Sequence, residues 1–250
     1  MAGRVGTPGA SVVSRAFAVL GAFDERHRAL TLSDLARRAA LPLATTHRLA
    51  AELVAVGALA RRESGHYVIG RRIWVTGLLA PVQTGLRELA SPFLHDIFAA
   101  TRATVHLAVR EGTEVLYLER LRGNESVPIV SRAGGRLPLH STGVGKVLLA
   151  HAPPEVQAEV LASLRRVTPY TVVRPSVLAA QLERIRRDGY ATTADEMTLG
   201  ASSVAVPVLR GGTEVVAALG IVVAQLRRDR QRLVAGLQVA AQGIARTLDG

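Results

Sequence analysis

Several short stretches carry residues that could do chemistry. Gly143-Val-Gly-Lys146 has the glycines and lysine of a phosphate-cradling loop. Such a loop also needs glycine where His140 stands and Ser or Thr where Val147 stands, so the match fails twice. His140-Ser141 puts a base beside a hydroxyl, but adjacent side chains seldom face one another and no G-x-S-x-G elbow surrounds the serine. Asp195-Glu196 offers two carboxylates; as neighbours at a strand end they point apart, which suits solvated charge or a ligand contact better than acid and base. The seven histidines show no H-x-x-x-H spacing, and the absence of cysteine removes thiolate ligands, cysteine nucleophiles and disulfides. No catalytic residue, metal or cofactor is therefore assigned. A small-molecule hydrolase is the weakest of the alternatives.

Polyanion recognition has more support. The formal charge is +11, and 30 of the 31 basic residues are arginine, a bias that itself carries no functional weight. Position is more telling: between Leu32 and Arg72 seven arginines (37, 38, 48, 61, 62, 71 and 72) stand against three acids (34, 52 and 63). Thr45, His47 and Arg48 can hydrogen-bond to base edges or phosphates, and small Ala44 and Ala51 allow close approach to a groove. Arg61, Arg62 and His66 follow within one short hairpin pattern.

Elements must hold these groups in place. Val12, Val13, Ala16, Phe17, Val19, Leu20 and Phe23 recur at helical spacing. Thr31-Leu-Ser-Asp34 has the capping arrangement of a helix start, with Leu32, Leu35, Ala36 and Ala39 inward. Leu41-Pro42 interrupts that helix and opens another, which runs to Val56, buries Thr46, Leu49, Leu53 and Val56, and stops at Gly57. Two helices joined by a short turn are a helix-turn-helix, and Ala58 to Arg62 and His66 to Ile69 around Ser64-Gly65 read as its wing.

Arg71 to Leu79 is read as a connecting helix in which Trp74 packs. Downstream, helices are expected at 83–100, 143–151, 154–164, 176–188 and 227–248. Strands are expected at 104–110, 114–121, 127–132, 190–194, 202–209 and 214–224. Hairpins at Glu111-Gly112 and Arg210-Gly-Gly-Thr213 make the sheet antiparallel, so the fold class is α+β with a central antiparallel sheet flanked by helices. The domains expected are a flexible tail at 1–10, a winged helix-turn-helix DNA-binding domain at 11–70, a linker helix at 71–82, and an α+β domain at 83–250, whose role as effector-binding and oligomerisation domain comes from the family resemblance. The longest apolar run, Val215 to Ala224, has about ten residues where a membrane helix needs about 20, and the first ten residues are no signal peptide. No membrane partner is expected, and the location expected is the cytoplasm.

Over Ser11 to Leu248 the chain resembles the IclR family of bacterial regulators. The resemblance rests on Leu32-Ser-Asp-Leu-Ala36, Thr45-Thr-His-Arg-Leu49 and Tyr67-Val-Ile-Gly70. It continues through the run from Leu137-Pro-Leu-His-Ser-Thr-Gly to Ala150, Thr168-Pro-Tyr-Thr171, Gly189-Tyr190, Asp195-Glu196 and Gly200 to Val208. It implies a GAF-like effector domain behind the winged helix-turn-helix, homodimers or dimers of dimers, and double-stranded DNA with palindromic operators as partner. In the DNA-reading region the chain departs from the family at Leu43 and Ala44, where lysine and serine are frequent, and at Ala40, which replaces the turn glycine. The resemblance also places a small-molecule site at Leu139, Ser141, Thr142, Gly143, Val144 and Gly145, with Asp195, Ser203, Gly220 and Val222 added. A Gly-rich loop entering a helix offers amides to an anion, though the same loop can serve only to let the helix pack. Ser203 stands where cysteine is frequent, and Gly220 and Val222 where some members carry serines, which suggests more room and a bulkier or more apolar acid. A ligand-independent structural DNA-binding protein is the other alternative, and the sequence does not separate repressor from activator.

Overall fold

The computed structural model describes residues 11–24, 27–79, 84–123, 127, 129–226 and 229–250. The tail expected at 1–10, the end of the linker at 80–82, the helix start at Gln83, Pro128 of the expected strand and the helix start at Arg227 lie outside them. The chain forms two compact units, residues 1–82 and 83–250.

In the first unit, α1 (Val12–Leu20), α2 (Leu32–Arg38) and α3 (Leu43–Ala55) surround Val19, Leu35, Leu49, Ala50 and Leu53. Caps set the helix starts: Ser11 accepts from the Ser14 amide and Thr31 from the Asp34 amide. Between α2 and α3, Ala40 takes a left-handed backbone at φ +52°, which explains why glycine suits that turn and what alanine costs there. β1 (Leu59–Arg61) and β2 (Tyr67–Ile69) pair antiparallel in the register Leu59↔Ile69, and Leu30 bridges to Tyr67 on the other edge. α4 (Arg71–Leu78) ends the described part of this unit.

Three packing expectations fail here. Val56 is 48% exposed, because α3 ends at Ala55 and the chain turns at Gly57 with φ +74°. Trp74 is 61% exposed on α4 instead of packed, and on α1 Phe17 is 68% exposed beside exposed Val12 and Val13.

The second unit is a six-stranded antiparallel sheet in the order β5-β4-β3-β8-β7-β6. Its strands are β3 (Thr104–Glu111), β4 (Glu114–Leu121), β5 (Arg136–Pro138), β6 (Ala191–Ala194), β7 (Ser202–Arg210) and β8 (Glu214–Val223). Alternation divides the side chains. Val105, Leu107, Val204, Val206, Leu219 and Ile221 face α5 (Thr84–Thr101) and α9 (Arg230–Asp249), while Ala108, Ala205 and Ala218 face α6 (Gly143–Ala150), α7 (Pro154–Ala162) and α8 (Pro175–Asp188). Helices thus cover both faces. The strand expected at 127–132 is not formed by its described residues; the third strand of that meander is Arg136–Pro138, and Ile129 to Arg132 run as irregular chain. Tyr190 precedes β6 and is not part of it. Among the described residues no helix is long and apolar enough to cross a membrane.

All eight residues of α6 are buried, Lys146 included. Glycine is required on it for packing: a Cβ on Gly143 would sit 2.5 Å from the Ser203 hydroxyl, and one on Gly145 would collide with the Leu139 carbonyl and the Thr142 hydroxyl.

Candidate functional site

On α3 the sequence makes one face apolar and buried, and the opposite face is left to solvent. Ala44, His47, Arg48 and Ala51 are exposed and Thr45 is half-buried, while Thr46 turns inward and donates to the Pro42 carbonyl at 3.1 Å. At the hairpin, Arg61 and Arg62 are exposed; the Arg61 guanidinium stacks 5.7 Å from the centre of the Tyr67 ring, which orients it. Gly65, at φ +79°, closes the turn, and His66 Nδ1 lies 3.1 Å from the Ser64 hydroxyl. Not every arginine of the basic stretch is available. Arg38 binds Asp24 at 2.5 Å and the Ala22 carbonyl at 2.6 Å, and Arg37 pairs with Asp34 at 2.8 Å. Arg48, Arg61 and Arg62 form no ion pair among the described residues and are free for phosphate or base edges, as is exposed Arg71, while Arg72 donates to the Val56 carbonyl at 3.2 Å.

The second unit contains a cavity of about 490 Å³, mouth included, between the sheet, the start of α6 and two loops. Of the predicted residues, Ser141, Thr142, Gly143, Val144, Ser203, Gly220 and Val222 line it. Leu139, Gly145 and Asp195 do not. Leu139 is fully buried in the core, Gly145 donates its amide to the Thr142 cap at 3.1 Å, and Asp195 turns back to accept the Gly200 amide at 2.6 Å. Gly220 gives less room than expected, since Val144 fills the space its side chain would occupy at 2.8 Å. Glu196 is neither solvated nor a wall residue: it is buried and paired with Lys146.

Sequence reasoning missed His106, Tyr117, Ser131 and Met197 on the wall. His106 Nε2 lies 2.8 Å from the Ser131 hydroxyl, and the His106 and Tyr117 rings meet edge to face at 4.9 Å. Burial, reinforced by the nearby Arg120 guanidinium, pushes His106 down to about 3, and burial pushes the Tyr117 hydroxyl above its ordinary range, so both are uncharged near neutral pH. The Arg120 guanidinium donates to the Ser131 carbonyl and holds that loop against the sheet. Thr193 and Ser203 bond each other at 2.6 Å, and Ser141 donates to the Met197 sulfur at 3.3 Å. A signal was present: His106 sits between Val105 and Leu107 in a buried strand, and a buried polar side chain needs a partner.

Among the described residues no Asp, Glu, Lys or Arg lines the cavity. Positive potential comes from the start of α6, whose first amides have no intrahelical acceptor; Thr142 caps Gly145, and Gly143 and Val144 stand on the wall. The cavity can therefore stabilise one anionic group by backbone amides, with apolar surface and neutral hydroxyls around the rest of a ligand.

Residues 12–63 match the IclR helix-turn-helix domain, and residues 80–246 match the bacterial transcriptional regulator IclR C-terminal domain. The regulator XynR of Escherichia coli K12 is 31% identical over 245 residues, covering 94% of this chain and 96% of that protein. The repressor AllR of Salmonella typhi is 31% identical over 216 residues, covering 85% and 79%. Among solved structures, an IclR homolog from Microbacterium hydrocarbonoxydans complexed with 4-hydroxybenzoate superposes with a TM-score of 0.88 at 40% identity, covering 95% and 99%. The Thermotoga maritima IclR superposes with 0.79 at 29%, covering 95% and 98%. With both of its regions matched in order over nearly the whole chain, the protein belongs to the IclR family of bacterial transcriptional regulators.

Proposed function

We propose that this regulator is a cytoplasmic homodimer that binds a palindromic operator, and that its effector is a small aromatic acid with a single carboxylate. The observation that carries the effector class is the cavity wall: apolar, free of charged side chains among the described residues, and entered by the amino end of α6. Such an end favours one anionic group, and a second carboxylate would be buried without a countercharge. That a relative at 40% identity was crystallised with 4-hydroxybenzoate agrees with this class.

The dimer reading is supported by Val12, Val13, Phe17, Trp74, Val75 and Leu79, large apolar side chains exposed on one small unit. A monomer seldom leaves so many to water, and a second copy would cover them. Two recognition helices related by a two-fold axis would then enter major grooves about 34 Å apart.

The test is a thermal-shift panel of 4-hydroxybenzoate, benzoate and aliphatic dicarboxylates, with the ligand analysed for turnover afterwards and operator binding measured in parallel. Aromatic monocarboxylates are expected to raise the midpoint and change operator affinity, and to be recovered unchanged. Stabilisation by dicarboxylates alone would overturn the effector class. No response to any acid, with operator binding intact, would favour a ligand-independent DNA-binding protein, and turnover would favour an enzyme.

A further inference from the structure

The loop joining β6 to β7, residues 195–201, supplies Met197, Thr198 and Ala201 to the cavity wall and so forms its roof. Lys146, one turn beyond Gly143 on α6, reaches through the interior to this loop. Its ammonium donates to Glu196 Oε1 at 2.5 Å and to Gln181 Oε1 on α8 at 2.8 Å, with Lys146 only 1% and Glu196 8% exposed at the side chain. Glu196 Oε2 accepts the Val172 amide at 3.4 Å. The backbone of the same two residues is held by a third segment: Thr168 donates to the Asp195 carbonyl at 2.6 Å and Thr171 to the Glu196 carbonyl at 2.8 Å. The wall helix and the roof are thus tied by a single buried ion pair, and the roof rests on the 168–172 strap.

A buried ion pair is an unfavourable way to fill this volume. Two apolar side chains of the same size are often as stabilising or more so, because neither must be stripped of water. What the pair adds is direction: the carboxylate accepts only where the ammonium and the Val172 amide point, which fixes the loop in one register. We propose that Lys146 and Glu196 are positioning residues of the effector site, a latch that holds the 195–201 roof closed over the cavity. This rests on the reading of the cavity as the effector site.

The test uses the full chain and two changes. Lys146→Met/Glu196→Leu replaces the latch with apolar groups, and Glu196→Gln keeps shape while removing one charge. Native-state hydrogen exchange without ligand reads the roof, and stopped-flow release of 4-hydroxybenzoate reads the site. The double variant is expected to melt no lower than wild type. Its Gly200 and Ala201 amides should exchange at least tenfold faster while the β7–β8 ladder is unchanged, and ligand should leave at least tenfold faster. A folded double variant with wild-type roof protection overturns the latch. If the double variant does not fold, Glu196→Gln is read by the same exchange criterion and decides in the same way. Should 4-hydroxybenzoate fail to bind wild type, the effector reading falls, and the exchange arm still decides the latch by itself.

Discussion

His106 stands on the cavity face of β3 without access to water, and its protonated form has lost its hydration there. Its value in the fold is about 3 against an ordinary 6.5. Well above pH 6.5 the imidazole is neutral in both folded and unfolded chains and pH has no effect through it. As pH falls below 6.5 the unfolded chain takes up a proton that the folded chain refuses until about pH 3, so stability declines across that window. At pH 5 the decline through this residue is about 2 kcal/mol relative to pH 7. His106→Gln keeps an amide for Ser131 and removes the titration. Urea unfolding at pH 7 and pH 5 should show the variant losing about 2 kcal/mol less than wild type between the two, and equal losses would mean that His106 is protonated in the fold or exposed. The same neutrality means that the cavity offers an acid no imidazolium between pH 5 and 8, which leaves recognition to the α6 amides and the hydroxyls.

At the scale of elements, we propose that α3 and the β1–β2 hairpin present different cations for different tasks. Arg48 lies on the exposed face of a helix of the kind that lies in the major groove in this motif, where base contacts specify. Arg61, stacked on Tyr67, flanks that helix from the wing, where contacts fall on phosphate. Arg48→Ala should cost specific operator affinity about 1–3 kcal/mol and relax sequence preference. Arg61→Ala should weaken specific and random DNA alike and lower the slope of log affinity against log salt by about one. Fluorescence-anisotropy titrations at several salt concentrations check both, and wild-type binding by the two variants together would remove α3 and the wing from the interface. These elements were legible because their cues are local: a capping threonine, Leu41-Pro42, Gly57 and a two-residue alternation each act within a few positions. The cavity was half legible. Gly143 and Ser203 lie on the runs that carry the family likeness, whereas His106 and Tyr117 reach the wall only through pairing of β3 with β4 and β8, and Ser131 through its contacts with His106 and Arg120, long-range relations that no local cue encodes. Glu196 was misread for the same reason, since its partner Lys146 lies 50 residues away in sequence, on α6. Trp74 and Phe17 defied the packing expectation because spacing tells which residues share a helix face and is silent on whether that face meets its own chain or a second one.

For the whole molecule the question is control. α3 belongs to residues 1–82 and the cavity to residues 83–250, so on the function proposed above effector and operator are bound by different units of one chain. A ligand that binds every arrangement of the protein equally shifts none of them, however tightly it binds. If the effector regulates, its affinity must therefore differ between the arrangement that fits two half-sites and the one that does not. Coupling of this kind is about 1–3 kcal/mol in regulated proteins, about 5- to 150-fold in affinity. Linkage makes the effect mutual: whatever factor the effector imposes on operator binding, the operator imposes on effector binding, with the same sign. Titration calorimetry of the full chain with an aromatic monocarboxylate, alone and saturated with operator duplex, measures this directly. The two dissociation constants should differ by the factor found when operator affinity is measured with and without the acid. A random-sequence duplex at the same salt is the necessary comparison, because phosphate contacts alone do not require the half-site geometry. Equal constants with and without operator would mean that the cavity's ligand does not govern DNA binding, and a factor seen in one direction only would mean that one of the two measurements was not at equilibrium.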